Sequence, residues 1–162
     1  MTVKLLMSAC LVGQCCRYDA KNGTSIVNKT LHNMLNTGEV YVFCPECSGG
    51  LDVPRDPAEI EPGKTAADVL LGKAKVLTDK GSDVTAAYLS GARRMLEKAK
   101  ALGLKVAVMK ERSPSCGVHQ VYDGTHTGKL IAGRGVTTEL LVQNGISVFD
   151  ETEFEEALEA LK

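Results

Sequence analysis

Apolar residues along this chain fall into short, largely apolar runs, separated by longer stretches with helical spacing. The runs at residues 3–7, 40–43, 105–109 and 146–149 are short and bounded by turn residues, which predicts buried strands. Residues 74–78 predict a further short strand, closed by the turn Asp79-Lys80-Gly81. Between these runs, residues 26–36 place Ile26, Leu31, Met34 and Leu35 on one helical face, with Asn36-Thr37-Gly38 as the stop. Residues 65–71 predict a short helix. Residues 84–102 predict the longest one, capped by Ser82 or Asp83 and ended by Gly103. Another helix opens at Thr137 or Thr138 and stops at Asn144-Gly145. A last one spans 152–161, with Asp150 as cap and Glu153 completing a capping box. Residues 120–122 and 129–131 predict a hairpin around Asp123-Gly124. Strands alternating with helices predict an α/β three-layer sandwich. Its sheet is mostly parallel and Rossmann-like, with about four to five strands, helices on both faces and a small hairpin beside it. At 162 residues a single domain, 1–162, is expected. The long irregular segment 44–65 is read as functional.

Composition narrows the chemistry. The chain is 44% apolar and has no Trp, so its core must be built from aliphatic side chains and Met. The net charge is -1, and its basic residues form no stripe, which gives nucleic-acid polymer binding no support. No apolar run reaches membrane-spanning length, and residues 1–7 are too short for a secretory leader, so a cytoplasmic protein is expected. In a reducing compartment six cysteines read as metal-binding or catalytic rather than as disulfides.

Three of the cysteine segments share one form. Cys10 follows the run at 3–7, with Gly13 allowing a sharp turn just beyond it. Cys44-Pro45-Glu46-Cys47 follows 40–43, and Ser113-Pro114-Ser115-Cys116-Gly117 follows 105–109. Ligands of open parallel sheets bind at the carboxyl ends of the strands, so these thiols are expected to converge on one hollow and hold a metal there. Soft thiolates select zinc, Cu(I) or iron–sulfur clusters. A structural zinc site wants four ligands, often two Cys-x-x-Cys pairs, whereas this chain has one pair and two singletons. Three ligands fit a cluster with one iron left open to act as a Lewis acid. The second ligand is Cys44 or Cys47. Adjacent Cys15 and Cys16 read as core or helper thiols. Two other readings stand beside this one. One is a zinc- or thiol-based structural or metal-binding protein without catalysis. The other is a thiol redox module, ranked last because its Cys-x-x-Cys should open a helix and Ser48-Gly49-Gly50 resists one.

At these residues the chain resembles a known family. Ser8-Ala9-Cys10-Leu11-Val12-Gly13, Cys16-Arg17-Tyr18-Asp19, Cys44-Pro45-Glu46 with Gly49-Gly50-Leu51 and Pro54-Arg55, and Ser113-Pro114-Ser115-Cys116-Gly117 are similar to the thiouracil desulfidases, formerly a domain of unknown function, family 523. Gly72-Lys73-Ala74 and Gly133-Arg134-Gly135-Val136-Thr137 fit the same pattern, so the likeness runs along essentially the whole chain. Ala20 stands where that pattern has Gly, which predicts a different backbone at this turn. The resemblance implies an oxygen-sensitive [4Fe-4S] cluster held by Cys10, Cys44 and Cys116, with its fourth iron open to the sulfur of a thiolated pyrimidine. It implies Glu46 and Ser113 as the catalytic pair, and the reaction thiouracil plus water to uracil plus hydrogen sulfide. On this reading Glu46 is the base that activates water, and burial in a dry pocket would bring it toward the useful range. Ser113 donates or relays a proton. Arg17, Arg55, Arg112 and Arg134 sit in site-facing loops where they can hold the ring carbonyls. His119 and His126 read as exposed loop residues, and His32 has no proposed role.

Overall fold

The computed structural model describes residues 2–14, 17–20 and 25–162. The first strand, β1 (Leu5–Ser8), is buried along its whole length and runs into a 3-10 turn, Ala9–Val12, that ends at Gly13. Helix α1 (Lys29–Asn36) starts three residues later than its apolar pattern suggests. The reason is local: Asn28 caps it, its side chain accepting from the amides of Thr30 and Leu31. Strand β2 (Val40–Phe43) then leads directly into α2 (Pro45–Ser48), a single turn.

Next come β3 (Ala58–Ile60), α3 (Ala66–Leu70), β4 (Val76–Thr78) and the long α4 (Thr85–Ala101). They are followed by β5 (Val106–Met109), β6 (Gln120–Tyr122), β7 (Leu130–Ala132), α5 (Val136–Gln143), β8 (Ser147–Asp150) and α6 (Phe154–Ala160).

Four strands form one wholly parallel sheet in the order β2-β1-β5-β8. Alternation along these strands sorts the core into two layers. Leu5, Met7, Val106 and Val108 pack with Leu31 and Met34 of α1 and with Phe154 and Ala157 of α6. Leu6, Ala107 and Met109 pack on the other face with Met95 and Ala99 of α4 and Leu141 of α5. The three-layer expectation therefore holds. The 74–78 run does not join this sheet: β4 pairs antiparallel with β3, a strand the sequence pattern did not predict. Beside them β6 and β7 form the expected hairpin, joined by a longer loop than Asp123-Gly124 alone.

The strand order changes direction between β1 and β5, and the helices change faces there too. In such sheets the crevice at the carboxyl ends of that strand pair is the binding place. The two ends are tied together. Ser8 Oγ accepts from the Lys110 amide at 3.0 Å and lies 3.6 Å from Met109 Sδ.

Candidate active site

A cavity of about 460 Å³ opens at this crevice, and Cys10, Cys44 and Cys116 all line it. Each is delivered by a different local device. Cys10 sits on the 3-10 turn that continues β1 and is nearly buried. Cys44 ends β2 and caps α2, with the Cys47 amide 3.5 Å from its sulfur. Cys116 is buried on the loop after β5. There Ser113 Oγ accepts from the amides of Ser115 (3.1 Å) and Cys116 (3.0 Å).

This last loop is fixed from behind by α5. The amides of Val136 and Thr137, which lack partners within their own helix, donate to the carbonyls of Pro114 and Ser115 at 2.8 and 2.9 Å. Thr138 Oγ1 donates to the Cys116 carbonyl, and Ser115 and Thr137 share a hydroxyl–hydroxyl bond. A Cβ on Gly135 would lie 2.3 Å from the Ser115 carbonyl carbon, so only glycine lets the helix start this close. Thr137 and Thr138 are thus buried clasps inside the helix, where the sequence had suggested its opening residue.

Cys47 touches Cys44 but is not among the residues lining the cavity. It lines a shallower depression with Cys44, Tyr41, Phe43 and Val53, and its sulfur is 3.9 Å from an Arg55 nitrogen. Burial pushes the Cys47 thiol up to about 11 and the Cys116 thiol up to about 12. No disulfide joins any of Cys10, Cys44, Cys47 and Cys116. Cys15 and Cys16 lie outside the described residues. The Cys-x-x-Cys does open a helix, contrary to the sequence reading, but it stops after one turn at Gly49.

Glu46 lines the cavity on α2, next to Cys44. Its Oε1 accepts a hydrogen bond from the Tyr88 hydroxyl, and its Oε2 is 3.4 Å from the Arg55 guanidinium. Ser113 also lines the cavity. Its lone pairs accept two backbone amides, so the hydroxyl proton is what it has to offer a guest. Arg17 and Arg112 are on the wall, Arg17 lying 3.5 Å from Asp19. Arg55 and Arg134 are not among the residues lining it. Arg55 stands behind Glu46, and Arg134 pairs with Glu139 at 2.9 Å.

Three residues at the cavity were not singled out from the sequence. Tyr88 is 2% exposed, and a buried phenol needs a partner, which was the available signal. Ser8 was visible only as part of a motif. Glu59 accepts from the amides of Gly124 and His126, and its Oε2 is 3.5 Å from His126 Nδ1. His126 therefore lines the cavity, half-buried, rather than standing in solvent.

Glu111, His119 and Asp150 bring possible ligand atoms within 4.8 Å of one another. Glu111 Oε1 already accepts from the amides of Val118, His119 and Gln120, so this cluster reads as a clasp on the loop. Ala20 has φ +57°, so the alanine takes the left-handed conformation of the expected glycine instead of avoiding it. No helix among the described residues is long and apolar enough to cross a membrane.

The donor set fits an iron–sulfur cluster. Three soft thiols line one cavity together with a carboxylate and a hydroxyl, and three protein donors leave a cluster open to an outside ligand.

Comparison with known proteins bears on this reading. The family model described as "2-thiouracil desulfurase" matches residues 5–153. An uncharacterized protein of Bacillus subtilis (strain 168), YbbK, is 42% identical over 154 residues, covering 95% of this chain and 99% of that one. A solved structure titled "[4Fe-4S]-dependent thiouracil desulfidase TudS" superposes with a TM-score of 0.88 at 41% identity, covering 99% of this chain and 98% of that one. With the profile spanning nearly its whole length and likeness of this degree in both sequence and fold, the chain belongs to the 2-thiouracil desulfurase family.

Proposed function

We propose that this protein is a [4Fe-4S]-dependent thiouracil desulfidase. On this reading Cys10, Cys44 and Cys116 hold the cluster, and sulfur leaves a thiolated pyrimidine by hydrolysis. One observation carries it: three thiols from three distant segments share a cavity with Glu46 and Ser113. When bound there, the cluster supplies an open iron, a Lewis acid soft enough to take sulfur and draw charge from the C–S bond.

The protein's own residues supply the rest. Glu46 takes a proton from water, and the hydroxide oxygen adds to the thiocarbonyl carbon. The C–S bond then breaks, and sulfur leaves as hydrogen sulfide while the carbon keeps oxygen as a carbonyl. No electrons are exchanged. Ser113 donates to the ring, because its lone pairs are engaged with backbone amides. Arg17 and Arg112, on the cavity wall, hold the ring carbonyl; Arg55 instead braces Glu46. Cys44 lines the cavity and Cys47 is not among the residues lining it, which supports Cys44 as the second ligand.

Anaerobic reconstitution tests the reading. Wild type should bind about four irons with acid-labile sulfide and release one sulfide per uracil formed. Cys10→Ala and Cys44→Ala should lose iron, and Cys47→Ala should keep it. Glu46→Ala should keep iron and lose at least about a hundredfold in turnover. Zinc without acid-labile sulfide, after anaerobic handling, would overturn the proposal.

A further inference from the structure

Glu46 stands on a helix of only four residues, followed by two glycines. Such an element cannot hold a carboxylate in one direction by itself. Its rigidity comes from α4. A Cβ on Gly91 would lie 1.9 Å from the Pro45 carbonyl oxygen, and one on Gly49 would lie 2.0 Å from that of Ala87. The two backbones therefore touch at two points, each possible only because one partner has no side chain. Ala87 and Tyr88 lie four and three residues before Gly91 on α4, so each neighbours it on the helix surface. The contact that seats α2 also brings the Tyr88 hydroxyl to Glu46 Oε1.

We infer that Tyr88 is a positioning residue for the desulfidase reaction: seated by the Gly49–Gly91 contact, its hydroxyl fixes the direction in which Glu46 faces the three thiols. The inference rests on the reading of Glu46 as base given above. Tyr88 itself is held among Ile60, Val69, Val76 and Val136 and has no freedom to follow a mobile carboxylate. Arg55, its side chain 8% exposed, closes the other side at Oε2. A carboxylate gripped at both oxygens meets water in one orientation. Preorganisation of this kind counts in a reaction where a displacement of about 1 Å costs about a hundredfold.

A role in stability alone would look different, and the experiment separates the two. Tyr88→Phe removes only the hydroxyl. The reconstituted variant should keep wild-type iron content and visible absorption, lose about ten- to a hundredfold in kcat, and show an unchanged KM for thiouracil. In a Glu46→Gln background, whose residual turnover is the reference, adding Tyr88→Phe should cost nothing further, because the residue it positions is already disabled. Equal losses in both backgrounds, or wild-type kcat in Tyr88→Phe while Glu46→Gln is inactive, would overturn the role of Tyr88 and leave the base assignment intact. A fully active Glu46→Gln would overturn both.

Discussion

The glycine contact between α2 and α4 predicts an unusual response to Gly91→Ala. In an ordinary helix interior, replacing glycine by alanine stabilises by about 1 kcal/mol. Here the new Cβ would begin 1.9 Å from the Pro45 oxygen and 2.7 Å from its carbonyl carbon. An unstrained carbon–oxygen contact is about 3.3–3.6 Å, so the helices must part by about 1.5 Å. Both sides are backbone, and no rotamer change can relieve the clash. The penalty belongs at the upper end of the roughly 1–3 kcal/mol typical of overpacking, about 3 kcal/mol. Set against the propensity gain, the net loss is about 2 kcal/mol. For a chain of this length that lowers Tm by about 4–8 °C. The same separation exceeds what the Tyr88–Glu46 hydrogen bond can stretch, so turnover should fall together with stability. Thermal unfolding followed by circular dichroism reads the first effect, and sulfide release reads the second. A rise in Tm, as helix propensity alone would give, would refute the close contact and the account of Glu46 built on it.

Two further outcomes concern stability. Ala20→Gly relieves a left-handed alanine, a strain of about 1–2 kcal/mol partly offset by glycine's greater unfolded freedom. Its Tm should rise by about 2–4 °C, and a fall would mean that the turn is not left-handed in solution. His119 has its protonated form favoured, first by the hydrogen bond to Glu153 at 2.7 Å, against a burial that opposes it, with Glu111 and Asp150 adding negative charge. Its folded value lies above the ordinary 6.5, so its contribution is complete below that pH and is lost as pH rises through the folded value. The Tm gap between wild type and His119→Gln should therefore shrink from about pH 6 to about pH 8, and a constant or widening gap contradicts the pairing.

The parallel sheet was legible because its strands carry their own signal. Strands β1 and β5 are buried on both faces, and so stand out as nearly continuous apolar runs. Cysteine placement was legible for the same reason, since each strand end announced the loop behind it. Strand β3 left no trace: Ala-Glu-Ile after several prolines is too short to show a period. Its partner β4 was visible, but three residues do not reveal which sheet they join. The helix at Pro45 was hidden by Gly49. That glycine reads as a breaker along the chain, and in the fold it is a point of contact with α4. Tyr88 was missed because its polar partner is 42 residues away in sequence. Arg55 and Arg134 looked equivalent in their motifs, and only the tertiary fold separates one that braces Glu46 from one that pairs with Glu139.

The thiols at positions 10, 44 and 116 hang from three strands, the last of which, β5, is central and late in the chain. On the proposed ligand assignment, a nascent polypeptide emerging from the ribosome has no complete donor set until β5 and the loop that follows it have been made. On the proposed assignment, then, no cluster can have all three of its thiols before Cys116 has been synthesised, in whatever order the earlier strands fold.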